Sequence, residues 1–458
     1  MTSQPNSLEA RDIAYHLHAY TNARRHQEVG PLVIEKGDGA FVVDTEGRRY
    51  LEAMAGLWSA AVGFSEPRLA EAAYRQMSKL PFYHTFSSRS HGPAVELAEK
   101  LVTMAPVPMS KAFFTNSGSE ANDTAIKLIW YRSNAMGQPQ RKKIISRKRA
   151  YHGVTIASGS LTGLPNNQIS FDLPIANILH TASPHHYRDA LPGETEEEFS
   201  TRLANELEAL IVAEGPDTIA AFFGEPVMGA GGVIVPPSGY WAKIQAVLRK
   251  YDILLVADEV ICGFGRTGMM FGSQTMQMQP DIMVLSKQIS SSYLPISALL
   301  VNERVFAPIA DESNRIGTLG HGFTAGGHPV AAAVALENIK IIEERNLVDH
   351  AREVGVYMQR RLREFASHDL VGEVRGLGLI AAIELVGDKA TKAPLGNVGS
   401  LGTVANALLQ ENGVIARNMA DALAFCPPLI VTEREIDLLV GAIAKTLDEA
   451  AEQKRAAS

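Results

Sequence analysis

From about residue 111 onward, the sequence repeats one pattern, in which a short apolar segment is followed by a loop and a stretch that suits a helix. The apolar segments, each of strand length, cover residues 111–115, 143–146, 218–224, 253–257 and 282–285. Strands that alternate with helices form a mostly parallel sheet with helices on both faces. The pattern therefore predicts an α/β fold for this part of the chain.

Four of these predicted strands end close to polar residues with a chemical use. The residues are Ser117, Ser119, Glu225, Asp258 and Lys287. In parallel sheets, ligands bind beyond the carboxyl ends of the strands. We therefore expect these side chains to surround one site.

Lys287 stands at the end of the run 281–287, after four apolar residues and one serine. A solitary ammonium at the end of a buried strand is costly to desolvate. One interpretation is a lysine whose charged end reaches solvent. The other is a desolvated amine with a lowered pKa that forms a Schiff base. The rest of the chain decides between the two.

Composition limits the class of partner and the compartment. The 458 residues are 46% hydrophobic and carry a net charge of -7, which argues against nucleic acid or an anionic membrane as a partner. The two cysteines, Cys262 and Cys426, form no CxxC pair, so we expect a reducing cytoplasm. No apolar run reaches membrane-spanning length, and the first ten residues lack the features of a signal peptide.

Residues 263–268 fit the pattern G-x-G-x-x-G and follow a predicted strand, as a dinucleotide site requires. However, Asp258 and Glu259 lie before the glycines, where they would repel a pyrophosphate. No clear helix begins at Gly268 to hold the phosphate. We therefore interpret this segment as a loop that reverses the chain.

A better phosphate site is the segment 115–119, Thr-Asn-Ser-Gly-Ser, between a strand and a helix. Free N–H groups and the helix dipole attract anions at such a junction. The candidate phosphate-binding residues are Ser117, Gly118 and Ser119, of which Gly118 permits close backbone approach and Ser119 adds a hydroxyl. The alternative is an ordinary helix N-cap, which serine makes routinely.

Two further residues complete a recognisable set. Tyr151 follows the second strand and is placed to stack on a planar ring, while His152 beside it is a secondary candidate. Asp258, at the end of a buried strand, needs a partner such as a protonated ring nitrogen. A phosphate cradle, a stacking tyrosine, this carboxylate and the Lys287 amine together predict a pyridoxal 5'-phosphate site. Asp258 and Lys287 are the predicted catalytic residues.

Segments on either side of the repeated pattern have a different character. Residues 8–26 suit a helix rich in aromatic and histidine side chains, and 40–51 predict a hairpin with Gly47 in its turn. Helices are predicted over 67–79, 93–104 and 347–365, and residues 432–435 are typical of a capping box. We predict a large domain over 67–334 and a smaller domain formed by 1–66 and 335–458.

The chain resembles the class III pyridoxal-phosphate-dependent aminotransferases, the ω-transaminases. The matching stretches are 116–122, 151–153, 225–226, 254–268, 286–287 and 322–329. The resemblance implies fold type I, with a large cofactor-binding domain and a smaller α+β domain from both chain ends. It also implies a homodimer with its sites at the interface, and leaves open whether dimers pair into tetramers.

The resemblance assigns the residues that would surround the cofactor. Gly118 and Ser119 would hold the phosphate from one subunit, and Thr324 would reach it from the other. Tyr151 and Val260 would pack against the two faces of the ring.

Other positions would contact the ring atoms and the reacting centre. Asp258 would pair with the ring nitrogen, and Glu225 would lie near the ring hydroxyl. Lys287 would bind the cofactor covalently.

Within the family, segments 56–59 and 80–86 are similar to the amine–pyruvate branch. There Trp58 and Phe86, the latter from the partner subunit, would shape the substrate pocket. Arg417 matches a mobile arginine that binds a substrate carboxylate. The alternative for Arg417 is a surface salt bridge with Asp421.

Two residues leave the size of the amine open. Met228 lies in a loop expected near the pocket and is a candidate substrate contact. Gln288 follows the lysine at a position where a small residue is usual in the family.

The sequence thus predicts a ping-pong transaminase that passes an amino group from a primary amine to pyruvate. The donor is an aralkyl amine, a diamine or polyamine, or an ω-amino acid, and the resemblance suggests the (S)-amine. The alternatives within enzymes are a 2-oxoglutarate-dependent 4-aminobutyrate or ornithine transaminase, and a related decarboxylase or aminomutase. Outside this class, the alternatives are a nucleotide-binding oxidoreductase and a catalytically silent binding protein.

Overall fold

The computed structural model describes residues 6–457, with side chains through residue 453. Its strands form three sheets. The strands are β1 Ile34–Asp38, β2 Phe41–Asp44, β3 Arg49–Glu52, β4 Lys111–Thr115, β5 Lys143–Arg147, β6 Ile178–Thr181, β7 Ile219–Gly224, β8 Leu254–Asp258, β9 Ile282–Leu285, β10 Ser297–Val301, β11 Val371–Leu377, β12 Ile380–Leu385, β13 Val414–Ile415, β14 Arg417–Met419 and β15 Ala422–Phe425.

The helices lie between and around these strands. They are α1 Leu8–Tyr15, α2 Ala23–Val29, α3 Ala55–Trp58, α4 Pro67–Lys79, α5 Gly92–Met104, α6 Gly118–Ala135, α7 Ile156–Leu161, α8 His186–Asp189, α9 Glu196–Glu214, α10 Tyr240–Lys250, α11 Gly272–Thr275, α12 Glu303–Ile316, α13 Pro329–Glu344, α14 Leu347–Arg363, α15 Ser400–Glu411 and α16 Glu433–Ala457. Over residues 6–457, every helix is too short or too polar to cross a lipid bilayer.

The largest sheet has seven strands in the order β4-β10-β9-β8-β7-β5-β6. The strands run parallel except β10, which lies antiparallel between β4 and β9. The sheet confirms the predicted α/β fold and all five of the predicted strands within it.

The sheet is buried on both faces, which explains its continuous apolar runs. Along β8, Leu254 and Val256 pack on the side of α6, whereas Leu255 and Ala257 pack on the side of α9 and α10. Because side chains alternate between faces along a strand, Asp258 points to the α6 side. This alternation places Asp258 next to the helix that begins at Gly118.

Two smaller sheets come from the ends of the chain. One has the order β1-β2-β3-β13, and its pairing of Val414 with Leu51 joins the two chain ends. The other, β11-β12-β15-β14, is antiparallel. Gly47 lies in the turn of the predicted hairpin with a φ of 82°. The domain boundaries at 66/67 and 334/335 stay a prediction.

Some elements differ from expectation. The single helix predicted over 8–26 is two helices, α1 and α2, because residues 16–22 leave the helical conformation. Strands β6 and β10 were not predicted, since β6 has only two apolar residues and β10 follows β9 without an intervening α-helix.

Candidate active site

A cavity lies beyond the carboxyl ends of β7, β8 and β9, as the sheet topology predicts. Twelve residues form its wall. Eleven of them were predicted as site residues or stand next to a predicted site residue, and the twelfth is Asn122. They are Gly118, Ser119, Asn122, Tyr151, His152, Gly153, Glu225, Asp258, Val260, Ile261, Ser286 and Lys287.

Asp258 is the anion of this cavity. Its Oδ2 accepts hydrogen bonds from Asn122 Nδ2 (2.9 Å) and His152 Nδ1 (2.8 Å), and its Oδ1 accepts one from the Val260 N–H (3.1 Å). Burial acts to raise the pKa of Asp258, but the contacts with His152, Asn122 and Val260 outweigh it and lower that pKa. Asp258 is therefore charged at neutral pH although it is 3% exposed.

Lys287 is held in a conformation that non-glycine residues rarely adopt, with a φ of 46°. Burial lowers the pKa of its amine, partly offset by the negative charges of Asp258 and Glu225. Within residues 6–457 the amine makes no hydrogen bond or ion pair. An unpaired amine with a lowered pKa is suited to act as a nucleophile and as a base. The side chain of Lys287 is half-buried and lines the cavity, which favours the interpretation as a reactive amine over that as a surface lysine.

Glu225 ties the tyrosine loop to the sheet. Its Oε1 accepts the Tyr151 N–H (3.0 Å), and its Oε2 accepts the Gly229 N–H (2.9 Å). Burial raises the pKa of Glu225. The carboxylate thus fixes the backbone at Tyr151, whose half-buried side chain lines the cavity.

The other end of the cavity is the first turn of α6. Ser117 Oγ accepts the Glu120 N–H (3.2 Å), so Ser117 is a helix N-cap, as the alternative interpretation of this segment proposed. In the described chain, the N–H groups of Gly118 and Ser119 have no hydrogen-bond partner. A Cβ at Gly118 would come within 3.2 Å of Val260 Cγ2. Capping and anion binding are therefore compatible here.

Arg417 lies near the cavity and is free to bind an anion. Asp421 is not its partner, because the Asp421 carboxylate accepts the N–H groups of Gly399 (2.7 Å) and Gly402 (2.9 Å) at the start of α15. The alternative of a surface salt bridge is therefore wrong. Within the described residues, the half-buried Arg417 has no ion pair, and its guanidinium lies 5.8 Å from the ring centre of Tyr20.

Besides Ser117 and Arg417, four predicted residues lie away from the cavity wall in this single chain, namely Phe86, Thr324, Trp58 and Met228. Phe86 is 44% exposed and packs against Gly322, in the surface loop that also carries the exposed Thr324. Trp58 is buried behind the cavity, in one apolar cluster with Ile261.

Met228 has no surface on the cavity. Its side chain is fully buried against Ala150 and Ile234, because the backbone of Met228 pairs with Ile234 in a tight turn. The prediction that Met228 contacts substrate therefore has no geometric support.

The glycine-rich segment 263–268 is a structural loop, as interpreted from the sequence. The buried Arg266 within it donates to the Leu379 carbonyl (3.0 Å) and to Gln288 Oε1 (3.1 Å). Gln288 also donates to the carbonyls of Ile261 (2.8 Å) and Gly263 (2.7 Å). Gln288 thus supports the turn that carries Lys287 and does not line the cavity.

Sequence reasoning missed two residues of the site. Asn122 lies in the matching stretch 116–122, but only the structure shows it bonded to Asp258. Tyr20, 62% exposed, has its ring 6.4 Å from that of Tyr151 and beside Arg417. Tyr20 lies far along the chain from the other site residues, so no sequence motif pointed to it.

These groups fit pyridoxal 5'-phosphate. The free N–H groups of Gly118 and Ser119 at a helix N-terminus suit a phosphate. The charged Asp258 suits a protonated ring nitrogen, and Tyr151 and Val260 lie on the wall as apolar surfaces for a ring. The amine of Lys287 suits the aldehyde carbon.

Comparisons with known proteins agree with this fit. The family model Aminotransferase class-III matches residues 21–447. Gamma aminobutyrate transaminase 1, mitochondrial, of Solanum lycopersicum is 51% identical over 94% of this chain and 84% of its own length. The ω-transaminase of Pseudomonas jessenii in complex with PMP is 63% identical, with a TM-score of 0.97 over 98% of this chain and 99% of that one. A structure described as a transaminase with L-Ala is 72% identical, with a TM-score of 0.92 over 92% of this chain and 100% of that one.

Proposed function

The chain belongs to the class III aminotransferases, which use pyridoxal 5'-phosphate, and from that premise we propose that it transfers the amino group of a hydrophobic primary amine to pyruvate. The observation that carries the proposal is the unpaired Arg417 beside a cavity that contains the unpaired amine of Lys287. The first group suits a carboxylate, and the second suits proton transfer.

The residues of the chain divide the work of holding the cofactor. Gly118 and Ser119 would bind its phosphate, Asp258 would bind its ring nitrogen, and Tyr151 and Val260 would pack on its ring. When bound, the cofactor supplies an electron sink for the pair released as the substrate α-proton leaves. The charged Asp258 supports that role because it keeps the nitrogen partner protonated.

Lys287 moves the proton. Burial lowers the pKa of its amine, which makes the neutral form more accessible than in an exposed lysine, so Nζ can accept a proton and return it in the reverse direction. The backbone turn at 287–289, supported by Gln288, fixes where Nζ points. The chain thereby provides one base for both half-reactions of a ping-pong cycle.

Arg417 would select pyruvate as amino acceptor. A guanidinium binds a carboxylate through two parallel hydrogen bonds. The relative described with L-Ala contains the amino acid that corresponds to pyruvate, which supports this choice. Because Arg417 has no ion pair with any residue that the structure describes, it is free to move away when an uncharged amine occupies the site.

The donor would be an aralkyl amine, a diamine or polyamine, or an ω-amino acid, with preference for the (S)-amine. The apolar side chains at or behind the cavity, Tyr20, Trp58, Tyr151 and Ile261, favour hydrophobic donors.

We also propose a homodimer. Phe86 and Thr324 lie together on an exposed surface away from the cavity, where a partner subunit would receive them. The cytoplasm is the proposed compartment, supported by two cysteines that are both free.

A second candidate is a 4-aminobutyrate or ornithine transaminase that uses 2-oxoglutarate. The tomato relative favours 4-aminobutyrate as a donor. A second acceptor carboxylate would need another cation besides Arg417, however, and the described residues that form the cavity wall include no further arginine.

A panel of amine donors measured against pyruvate and against 2-oxoglutarate separates these candidates. We expect a higher kcat/KM with pyruvate than with 2-oxoglutarate. We also expect a higher kcat/KM with aralkyl amines than with 4-aminobutyrate. A preference for 2-oxoglutarate with 4-aminobutyrate would support the second candidate and contradict the first.

A further inference from the structure

A cluster of histidines lies on the N-terminal segment, apart from the cavity of Lys287. Asp12 on α1 accepts a hydrogen bond at Oδ2 from His16 Nδ1 (3.1 Å) and one at Oδ1 from His18 Nε2 (2.7 Å). His26 on α2 donates from Nε2 to the same Oδ1 (3.0 Å). Three imidazoles from separate parts of the segment thus converge on one carboxylate.

Local structure accounts for this convergence. His16 is four residues after Asp12, so both side chains lie on one face at the end of α1. The backbone N–H of His16 donates to the Asp12 carbonyl (2.9 Å), and His16 is the C-cap at which α1 ends. The chain then turns, and the His18 ring lies between those of His16 (4.2 Å) and His26 (4.3 Å).

We propose that Asp12, His16 and His18 bind a divalent transition-metal ion, for which Zn²⁺ is the best match, and that His26 positions Asp12. The ligand atoms of the first three residues lie within 4.8 Å of one another. In a tetrahedral zinc site with bonds of about 2.0–2.1 Å, ligand atoms are about 3.4 Å apart. Small side-chain movements therefore convert the present contacts into coordination.

The chemistry of the ligands selects the class of ion. Two imidazoles and one carboxylate suit Zn²⁺ and its neighbours Co²⁺, Ni²⁺ and Cu²⁺, whereas Mg²⁺ and Ca²⁺ need oxygen ligands. Three protein ligands leave a fourth position for water. Hydrogen bonding from His26 to a ligating carboxylate is the kind of outer contact that orients metal ligands.

Solvent reaches the cluster, so an ion has a path of entry. The side chains of His16 and His18 are 64% and 28% exposed, whereas that of His26 is 9% exposed. A surface cavity of about 270 Å³ is lined by all three imidazoles. The bound ion would sit on the segment that places Tyr20 beside Tyr151 and Arg417.

The proposal is tested on the holoenzyme, prepared without a polyhistidine tag. Calorimetry measures the binding of Zn²⁺, and visible absorption measures the binding of Co²⁺. We expect about one tight ion per chain and the intense visible bands of tetrahedral cobalt. His16→Asn with His18→Asn should weaken binding by more than about 100-fold, and His26→Asn by about tenfold. His368→Asn, at a half-buried histidine elsewhere, should leave binding unchanged.

Asp12→Asn provides a second variant if the double variant is unstable, and retention of the cofactor absorbance reports that each variant is folded. Equal zinc affinity in the wild type and in a folded Asp12 or double-histidine variant would overturn the site. Absence of binding by the wild type would overturn it as well.

Discussion

Asp258 owes its charge to its neighbours. It is almost completely buried, and an isolated carboxylate in such a place would take up a proton. His152, Asn122 and the Val260 N–H hold its pKa below the ordinary value. A carboxylate whose pKa is lowered in the folded protein stabilises the fold fully above its ordinary pKa. This stabilisation is lost as the pH falls through the lowered pKa. Binding of a protonated ring nitrogen should therefore persist into mildly acidic solution.

His152→Ala should raise the pKa of Asp258, because it removes the His152 hydrogen bond and leaves the burial. We expect the variant to release its cofactor at a higher pH than the wild type does, as measured by equilibrium dialysis from about pH 4 to 8. His350→Ala removes a histidine whose ring bonds the Val431 carbonyl, away from the cavity, and should leave the release profile unchanged. Identical profiles for His152→Ala and the wild type would show that His152 does not set this charge.

Arg417→Ala should weaken the use of pyruvate. The loss of a charged hydrogen bond worth about 1.5–3 kcal/mol lowers kcat/KM for pyruvate about 10- to 100-fold. The kcat/KM for an uncharged amine should change much less, and the exposed Arg434→Ala serves as the matched control. Equal losses for the acid and the amine would refute the proposed role.

At the scale of elements, the turn after β9 determines where the lysine points. Lys287 has a left-handed backbone, and Gln288 behind it bonds Arg266 and the carbonyls of Ile261 and Gly263. Asn338 donates to the carbonyls of Gln288 (2.8 Å) and Ile289 (3.0 Å) from α13. The strained conformation is thus maintained by contacts from two other elements.

Gln288→Ala should destabilise the protein by about 2–4 kcal/mol, because it leaves buried polar groups without partners. We expect a lower unfolding temperature and a lower kcat with little change in KM. Gln410→Ala, at an exposed glutamine of α15, should be neutral in both measurements. A Gln288 variant as stable and as active as the wild type would contradict the supporting role.

The sequence predicted the sheet and the edge at which the cavity lies, because buried parallel strands have long apolar runs that end at polar residues. Asp258 and Lys287 were found in this way. The side-chain direction of Met228 was not predictable, since it depends on a turn whose backbone pairs with Ile234. Tyr20 was missed because its contact with Tyr151 depends on how the chain turns between α1 and α2.

At the scale of the whole molecule, we propose that a second subunit completes the site. The cavity has a base, an anion and free N–H groups, while Phe86 and Thr324 lie exposed on another surface. A homodimer that places these residues at the partner's cavity explains both observations. Light scattering should give about twice the chain mass of 49.5 kDa.

Subunit complementation tests the exchange of residues. Lys287→Ala and Thr324→Arg should each give inactive homodimers, the first without its base and the second with its phosphate end blocked. A hybrid dimer of the two has one complete site, so we expect it to regain up to about half of the wild-type kcat per dimer. An inactive hybrid would show that Thr324 serves its own chain.

Lys287 is the residue that we propose carries the cofactor. Borohydride treatment of the yellow holoenzyme, followed by peptide mass mapping, measures this directly. We expect one phosphopyridoxyl group per chain, on the peptide that contains Lys287, and no such group in Lys287→Ala. Attachment at another lysine, or a colourless protein without attachment after addition of pyridoxal 5'-phosphate, would contradict it.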